Sequence, residues 1–277
     1  MQLIDTHQHL ILRGQLGYSW TAGVPALAQG SFAPADYAAL TGDKISASVF
    51  METGVDDADY RAEARLVAGL VGMGGIRGQV ASIRPEEDAG FDDWLAECAG
   101  LHVCGFRRIL HVVPDDLSQS QTFRRNLRKI GAAGLPFDIC MFARQLPLAE
   151  ALIAACPDQM FVLDHCGNPD VAGGGFDAWA PGIAAVAALP NVVVKLSGIT
   201  TNCTPGTVSA TTLKPFFNYL LHSFGPDRML WGSDWPVVNL ATGLPDWIAI
   251  THTLLADLSQ AERTAIASGT AQRVYRI

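Results

Sequence analysis

Three proton-binding side chains, Asp5, His7 and His9, occupy alternate positions in the apolar stretch IDTHQHL (4–10). Alternate residues of a strand share one face, so all three are expected to project to the same side. Two neutral imidazoles at that spacing can reach one metal ion or one substrate group. The plainer reading is a pair of core histidines satisfied by backbone carbonyls, and it loses ground when two of them share a face at a strand end. A second concentration lies far along the chain in WGSDWP (231–236), where Asp234 follows an apolar run and a glycine. A carboxylate there can act as general base on water if it stays ionised; the alternative is an N-cap for the next segment.

Other candidates end further apolar runs. Glu52 in FMETG (50–54) is a solvated loop carboxylate or, turned inward, a ligand for a metal or a substrate hydroxyl. GFRRIL (105–110) carries Arg107 and Arg108, of which only one is expected to enter a barrel mouth. A guanidinium there matches the paired oxygens of a carboxylate or ester, or else serves a structural ion pair. His111, just beyond, is a weaker candidate. In LDHCGNP (163–169), Asp164 and His165 should face opposite ways. His165 is then a ligand, acid or hydrogen-bond donor, and Asp164 a support outside the lumen. In KLSG (195–198), Lys195 shares a face with Ser197 and can polarise a carbonyl or bridge to a carboxylate.

The elements that must position these groups are eight short β-rich runs: 3–10, 45–53, 76–83, 103–110, 135–141, 159–167, 191–198 and 228–236. Segments with apolar residues at helical spacing separate most of them, such as 58–72, 120–134, 148–157 and 247–258. Strands alternating with helices imply parallel βαβ units, and eight of them close naturally into a single α/β domain, a (β/α)8 TIM-like barrel over 1–277. An open nucleotide-binding sheet would place GxGxxG after an early strand. The one glycine-dense stretch, GMGGIRG (72–78), precedes a strand and reads as a helix-to-strand turn. The long segments 13–34 and 200–212 are candidate covers of the active-site face.

Composition excludes several classes. The chain has 277 residues, 49% of them hydrophobic, enough for a substantial core. Its formal charge of -8 speaks against nucleic acid or an anionic membrane as main partner. The six cysteines show no C-x-x-C spacing and read as reduced thiols of a cytoplasmic protein. Polar residues follow the start at once and no apolar run suffices for a membrane span, so neither a secretory leader nor a membrane anchor is expected. The oligomeric state, homo-oligomer included, is left open.

Taken in order, DTHQHL, GFRRIL, LDHCG, KLSG and LWGSDWP resemble the amidohydrolase superfamily, and within it the branch of sugar lactonases and 2-pyrone-4,6-dicarboxylate lactonase. The resemblance runs to the final GTAQRVY (269–275), which is similar to the family's closing helix. It implies a (β/α)8 barrel with His7 and His9 as the strand-one pair, His165 as the strand-six histidine and Asp234 as the general base. Arg107 is implied as a ligand of substrate oxygen, and FARQLP (142–147) makes Arg144 a second substrate contact. Glu52 and Lys195 join the substrate-binding set. Strand five departs from the metal-rich pattern: FDICM (137–141) carries Asp138 and neither His nor Lys. A binuclear centre is therefore not expected; either one divalent ion, Zn or Mn, sits on His7, His9 and Asp234, or none is used. The implied activity is hydrolysis of a sugar-acid lactone or a related small carboxylated lactone. The alternatives are a metal-dependent decarboxylase or hydratase of the same superfamily and a non-catalytic sugar-acid-binding barrel. No G-x-S-x-G elbow supports a serine hydrolase.

Overall fold

A computed structural model describes residues 1–277. The strands are β1 (Leu3–Gln8), β2 (Ile45–Met51), β3 (Ile76–Ser82), β4 (Val103–Ile109), β5 (Phe137–Cys140), β6 (Phe161–Leu163), β7 (Val192–Leu196) and β8 (Met229–Trp231). Each pairs in parallel with the next, in sequence order throughout. All eight expected strands are therefore present, each lying within its apolar run. The circle closes just beyond β8. Gln8 bridges Trp235 in parallel, Asp234 N donates to His7 O at 2.8 Å, and His9 N donates to Trp235 O at 2.7 Å. That closure joins the two ends of the chain where its chemical residues are concentrated.

Helices cover the outside and bury one face each. The helix Gln121–Ala132 buries Phe123, Asn126, Leu127 and Ile130, and the Ser120 hydroxyl caps its start by accepting from Phe123 N at 3.2 Å. The helix Ala210–Phe224 buries Leu213, Phe216, Phe217, Leu220 and Phe224 on the same principle. Inside the barrel, Val49, Met51, Val80, Val162, Val193 and Leu230 form an apolar layer with Val274 and Tyr275 of the closing helix Thr270–Tyr275. This layer stops the lumen at one end, leaving the carboxyl ends of the strands to hold the polar groups, the usual division in such barrels.

The GMGGIRG stretch is a turn leading into β3, with Gly72, Gly74 and Gly75 at positive φ. All six cysteines are free thiols. No helix is long and apolar enough to cross a membrane.

Candidate active site

A cavity of about 480 Å³ opens at the carboxyl ends of the strands. His9, Glu52, Arg107, His165 and Asp234 line its buried part, and Trp20, Tyr60 and Val112 lie toward the mouth. The long 13–34 segment supplies Trp20, whose indole Nε1 donates to Thr53 O at 3.1 Å; the 200–212 segment supplies Thr201.

Barrel closure brings His7, His9 and Asp234 together. Asp234 Oδ1 lies 3.3 Å from His9 Nε2 and 3.8 Å from His7 Nε2. His9 Nδ1 stands 2.9 Å from Met51 O, and a carbonyl only accepts, so Nδ1 carries a proton and a neutral ring has its lone pair on Nε2. Arg107 Nη1 reaches His7 Nε2 at 3.1 Å. A guanidinium only donates, so in the tautomer that accepts from Arg107 the lone pair is on Nε2 and the Nδ1 proton faces Asp164 Oδ1 at 3.4 Å, while Lys195 Nζ, 3.3 Å from Nδ1, competes for the ring. Burial drives His7 well below the usual imidazole pKa, against the pull of Asp164, so the ring is neutral.

Arg107 is the hub of the site's charges. Its Nε donates to Glu52 Oε1 at 2.6 Å, Nη2 to Glu52 O at 2.6 Å, and Nη1 to Asp164 Oδ2 at 3.3 Å. One Nη2 proton is left without a protein acceptor. Burial pushes the Glu52 pKa up, but the Arg107 guanidinium and the Gly54 N–H together outweigh it and the net direction is down. For Asp164 burial is likewise opposed, by Lys195, His7 and Arg107, and its carboxyl is held well below the ordinary range. His165 Nδ1 lies 3.0 Å from Ser197 Oγ, and burial lowers its pKa. His111 is driven down to about 4 by burial, so it too is neutral near pH 7.

Two glycines make the close packing feasible. A Cβ on Gly198 (φ +63) would fall 2.3 Å from His165 Nδ1, and one on Gly232 would fall 2.6 Å from His7 Cβ.

Several expectations are corrected by this geometry. Asp5 does not join the two histidines: its Oδ1 accepts from His7 N and Ser233 N, and its Oδ2 from the Tyr37 hydroxyl at 2.6 Å. The β1–β2 register slips between Asp5 and Gln8, which breaks the strict alternation assumed for that strand. Asp164 does not lie outside the lumen but packs on His7, Lys195 and Arg107. Its strand ends at Leu163, and His165 and Cys166 take left-handed backbone (φ 54 and 58), so the two-residue face rule no longer applies. Lys195 is fully buried, outside the cavity lining, and tied to Asp138 at 2.6 Å and Asp164 at 3.0 Å, the carboxylate bridge that was the alternative to its polarising a carbonyl. Arg144 is 61% exposed, outside the lining, and pairs with Asp115 at 2.7 Å. Arg108 pairs with Glu86 at 2.7 Å at the cavity wall. Sequence reasoning passed over Arg84, Tyr60 and Trp20, which lack any motif and reach the cavity only through loop packing.

The donor set bears on metal binding. His9 Nε2 and Asp234 Oδ1 are both acceptors, facing each other at 3.3 Å, and a cation between them satisfies both. His9 and Asp234 therefore fit a single divalent ion, and His7 completes the set when Arg107 Nη1, 3.1 Å from its Nε2, gives way. The neighbouring group of His7, Asp164 and His165 does not, because Lys195 and Arg107 already supply positive charge to Asp164 at 3.0 and 3.3 Å.

Comparison with known proteins follows the same lines. The amidohydrolase family pattern matches residues 4–277. The L-fucono-1,5-lactonase of Burkholderia multivorans is 30% identical, covering 99% of this chain and 96% of its own length. A zinc-bound amidohydrolase structure from Burkholderia multivorans is similar at a TM-score of 0.88 and 28% identity, with 100% of each chain covered. A probable 2-pyrone-4,6-dicarboxylic acid hydrolase from Acinetobacter baumannii, with citric acid bound, shares the fold at a TM-score of 0.80 and 16% identity, again over 100% of each chain.

Proposed function

The chain belongs to the amidohydrolase family, and from that premise we propose that it is a carboxylic-ester hydrolase that opens the lactone ring of a sugar acid. The observation that carries the reading is Asp234, a carboxylate facing His7 and His9 in a cavity of about 480 Å³, large enough for one sugar ring. The similarity to a fuconolactonase supports the substrate class.

In this mechanism Asp234 takes a proton from water, and the resulting hydroxide attacks the lactone carbonyl. The unused Nη2 proton of Arg107 donates to the carbonyl oxygen as it gains charge. In the tautomer in which the Ser197 hydroxyl donates to His165 Nδ1, the ring proton of His165 sits on Nε2 and serves as a second donor. Each such donor is worth about 3 kcal/mol in the transition state. Asp234 then returns its proton to the leaving alkoxide, and the ring opens to the hydroxy acid. Glu52 holds Arg107 in place, and its wall position leaves it beside a substrate hydroxyl. A divalent ion bound by His7, His9 and Asp234 would add Lewis-acid polarisation and lower the pKa of bound water.

Charge pairing favours an uncharged lactone over a carboxylated one. Every guanidinium lining the cavity already has a carboxylate: Arg107 with Glu52, Arg84 with Asp57 at 2.6 Å, and Arg108 with Glu86. A substrate carboxylate would meet guanidinium charge already neutralised by these pairs, which weakens its attraction. The test is a panel of aldonolactones alongside 2-pyrone-4,6-dicarboxylate, each assayed by acid release, with and without chelator, and with CO2 release measured in parallel. Turnover of a neutral aldonolactone without CO2 is expected. Release of CO2, or turnover of the dicarboxylate alone, would overturn the reading.

A further inference from the structure

Five of the six tryptophans, Trp94, Trp179, Trp231, Trp235 and Trp247, are buried to 1% exposure or less. Trp20 is the exception, 40% exposed at the mouth of the active-site cavity. With Val55, Ile109, Val112 and Val237 it makes up an apolar stretch of the lining, and open apolar surface at a cavity mouth points to a ligand that covers it.

The exposed ring is nevertheless fixed. Trp20 belongs to the helical turn Ser19–Gly23, whose surroundings are tied down on both sides of it. Asp56 accepts from Ser19 N and from the Ser19 hydroxyl, each at 3.0 Å, and Asp59 accepts from Gly17 N at 2.8 Å. Arg13 Nη2 donates to Thr21 Oγ1 at 2.8 Å. Thr53 O, the acceptor of the indole N–H, is itself held: Thr53 N donates to Glu63 Oε1 and the Thr53 hydroxyl to Leu10 O, both at 3.0 Å. Gly54 packs beside the indole, where a Cβ would lie 3.8 Å from Nε1. The ring therefore keeps one orientation before any ligand arrives, and little conformational freedom is lost on binding.

The anchor also decides what the indole can offer. Nε1–H is its only polar group, and Thr53 O already takes it. What remains for a ligand is the ring face, the negative pole of the aromatic quadrupole. The C–H bonds of a sugar ring, made slightly positive by the neighbouring oxygens, complement that face, whereas a carboxylate is repelled by it. Hydroxyls of the same ring have polar side chains of the lining to meet, among them Glu52, Tyr60 and Thr201.

We propose that Trp20 is the platform on which the substrate ring stacks, selecting an uncharged, polyhydroxylated ring by its C–H face. The proposal rests on the reading of the chain as a sugar-lactone hydrolase and concerns binding alone. Stacking acts alike on the lactone and on its transition state, so it sets KM and leaves kcat nearly unchanged.

One arm of the test needs no turnover. Acrylamide quenching of tryptophan fluorescence is measured on the purified protein with and without aldono-1,5-lactams of gluco, galacto and manno configuration, D and L, whose amide rings resist opening. Because the other five indoles are buried, the difference between the parent and Trp20→Phe reports Trp20. At least one lactam should shield it, lowering its quenching constant twofold or more. In the second arm, Trp20→Leu should raise KM for a neutral aldonolactone about tenfold with kcat within threefold, and Trp20→Phe, which keeps an aromatic face, should fall between the parent and the Leu variant. Ser19→Ala removes the neighbouring hydroxyl contact with Asp56 and leaves the indole in place, so its KM should stay within twofold. Quenching of Trp20 unaltered by every lactam would overturn the proposal, as would an unchanged KM in Trp20→Leu or an equal rise in Ser19→Ala. Lactone turnover without shielding of Trp20 removes the platform and keeps the hydrolysis; shielding without turnover of any lactone supports the platform and removes the hydrolysis.

Discussion

Replacing Asp234 by Asn removes the proposed base with little disturbance around it. The residue has φ +58, a left-handed conformation that Asn adopts more readily than most residues. Its backbone N–H donates to His7 O at 2.8 Å, and the substitution leaves that bond intact. The side chain is nearly isosteric, so barrel closure should survive. What is lost is the carboxylate 3.3 Å from His9 Nε2, and with it the means to take a proton from water. A positioned general base contributes about 10²–10⁴-fold, so kcat should fall by roughly a thousandfold, a barrier increase of about 4 kcal/mol. Initial rates of lactone opening, followed by acid release at saturating substrate, measure this directly, and a melting curve shows that the variant is folded. A folded variant with kcat within about tenfold of the parent refutes the assignment. Asp234→Ala provides a contrast, because a left-handed backbone costs Ala about 1–2 kcal/mol, and its melting temperature should fall below that of the Asn variant.

Other perturbations probe the surrounding charges and packing. Arg107→Leu leaves Glu52 and Asp164 buried without that partner, so stability should drop by about 3–5 kcal/mol, roughly 10 °C in melting temperature; a drop under about 2 °C would contradict the pairing. Gly198→Ala puts a methyl group 2.3 Å from His165 Nδ1 at a position with φ +63, and at least a tenfold loss in kcat is expected together with lower stability. Glu63 is a buried acid whose pKa is raised to about 8, first by burial and then by the charge of Glu52. The folded state therefore holds a proton that the unfolded chain releases near the ordinary glutamate value of 4.5, so this residue's contribution is fully present below about pH 4.5 and declines as pH rises toward 8. Glu63→Gln should gain stability over the parent progressively across that window, by on the order of a few kcal/mol at its upper end. Denaturant melts at pH 5 and pH 9 measure the gain; equal differences at the two values would contradict the assignment.

Much of the architecture was legible along the chain because its signals are local. Eight apolar runs bounded by Pro and Gly, with helical spacing between them, specify parallel βα units whatever the contacts between them, and the structure has all eight strands. The H-x-H pair and the late Asp234 were legible for the same reason, each sitting at the end of such a run. Asp5 and Asp164 were misread because the face rule holds only while the backbone stays extended. The register slip in β1 and the left-handed residues after Leu163 are set by tertiary contacts that no periodicity records. The pairing of Lys195 with Asp138 and Tyr275 joins three segments far apart in sequence, so no local pattern announces it. The sequence by itself determined which residues can do chemistry and at which strand ends they stand. Only closure of the barrel decided which cations and carboxylates neutralise one another, because electrostatic pairing depends on separation in space and on exclusion of water.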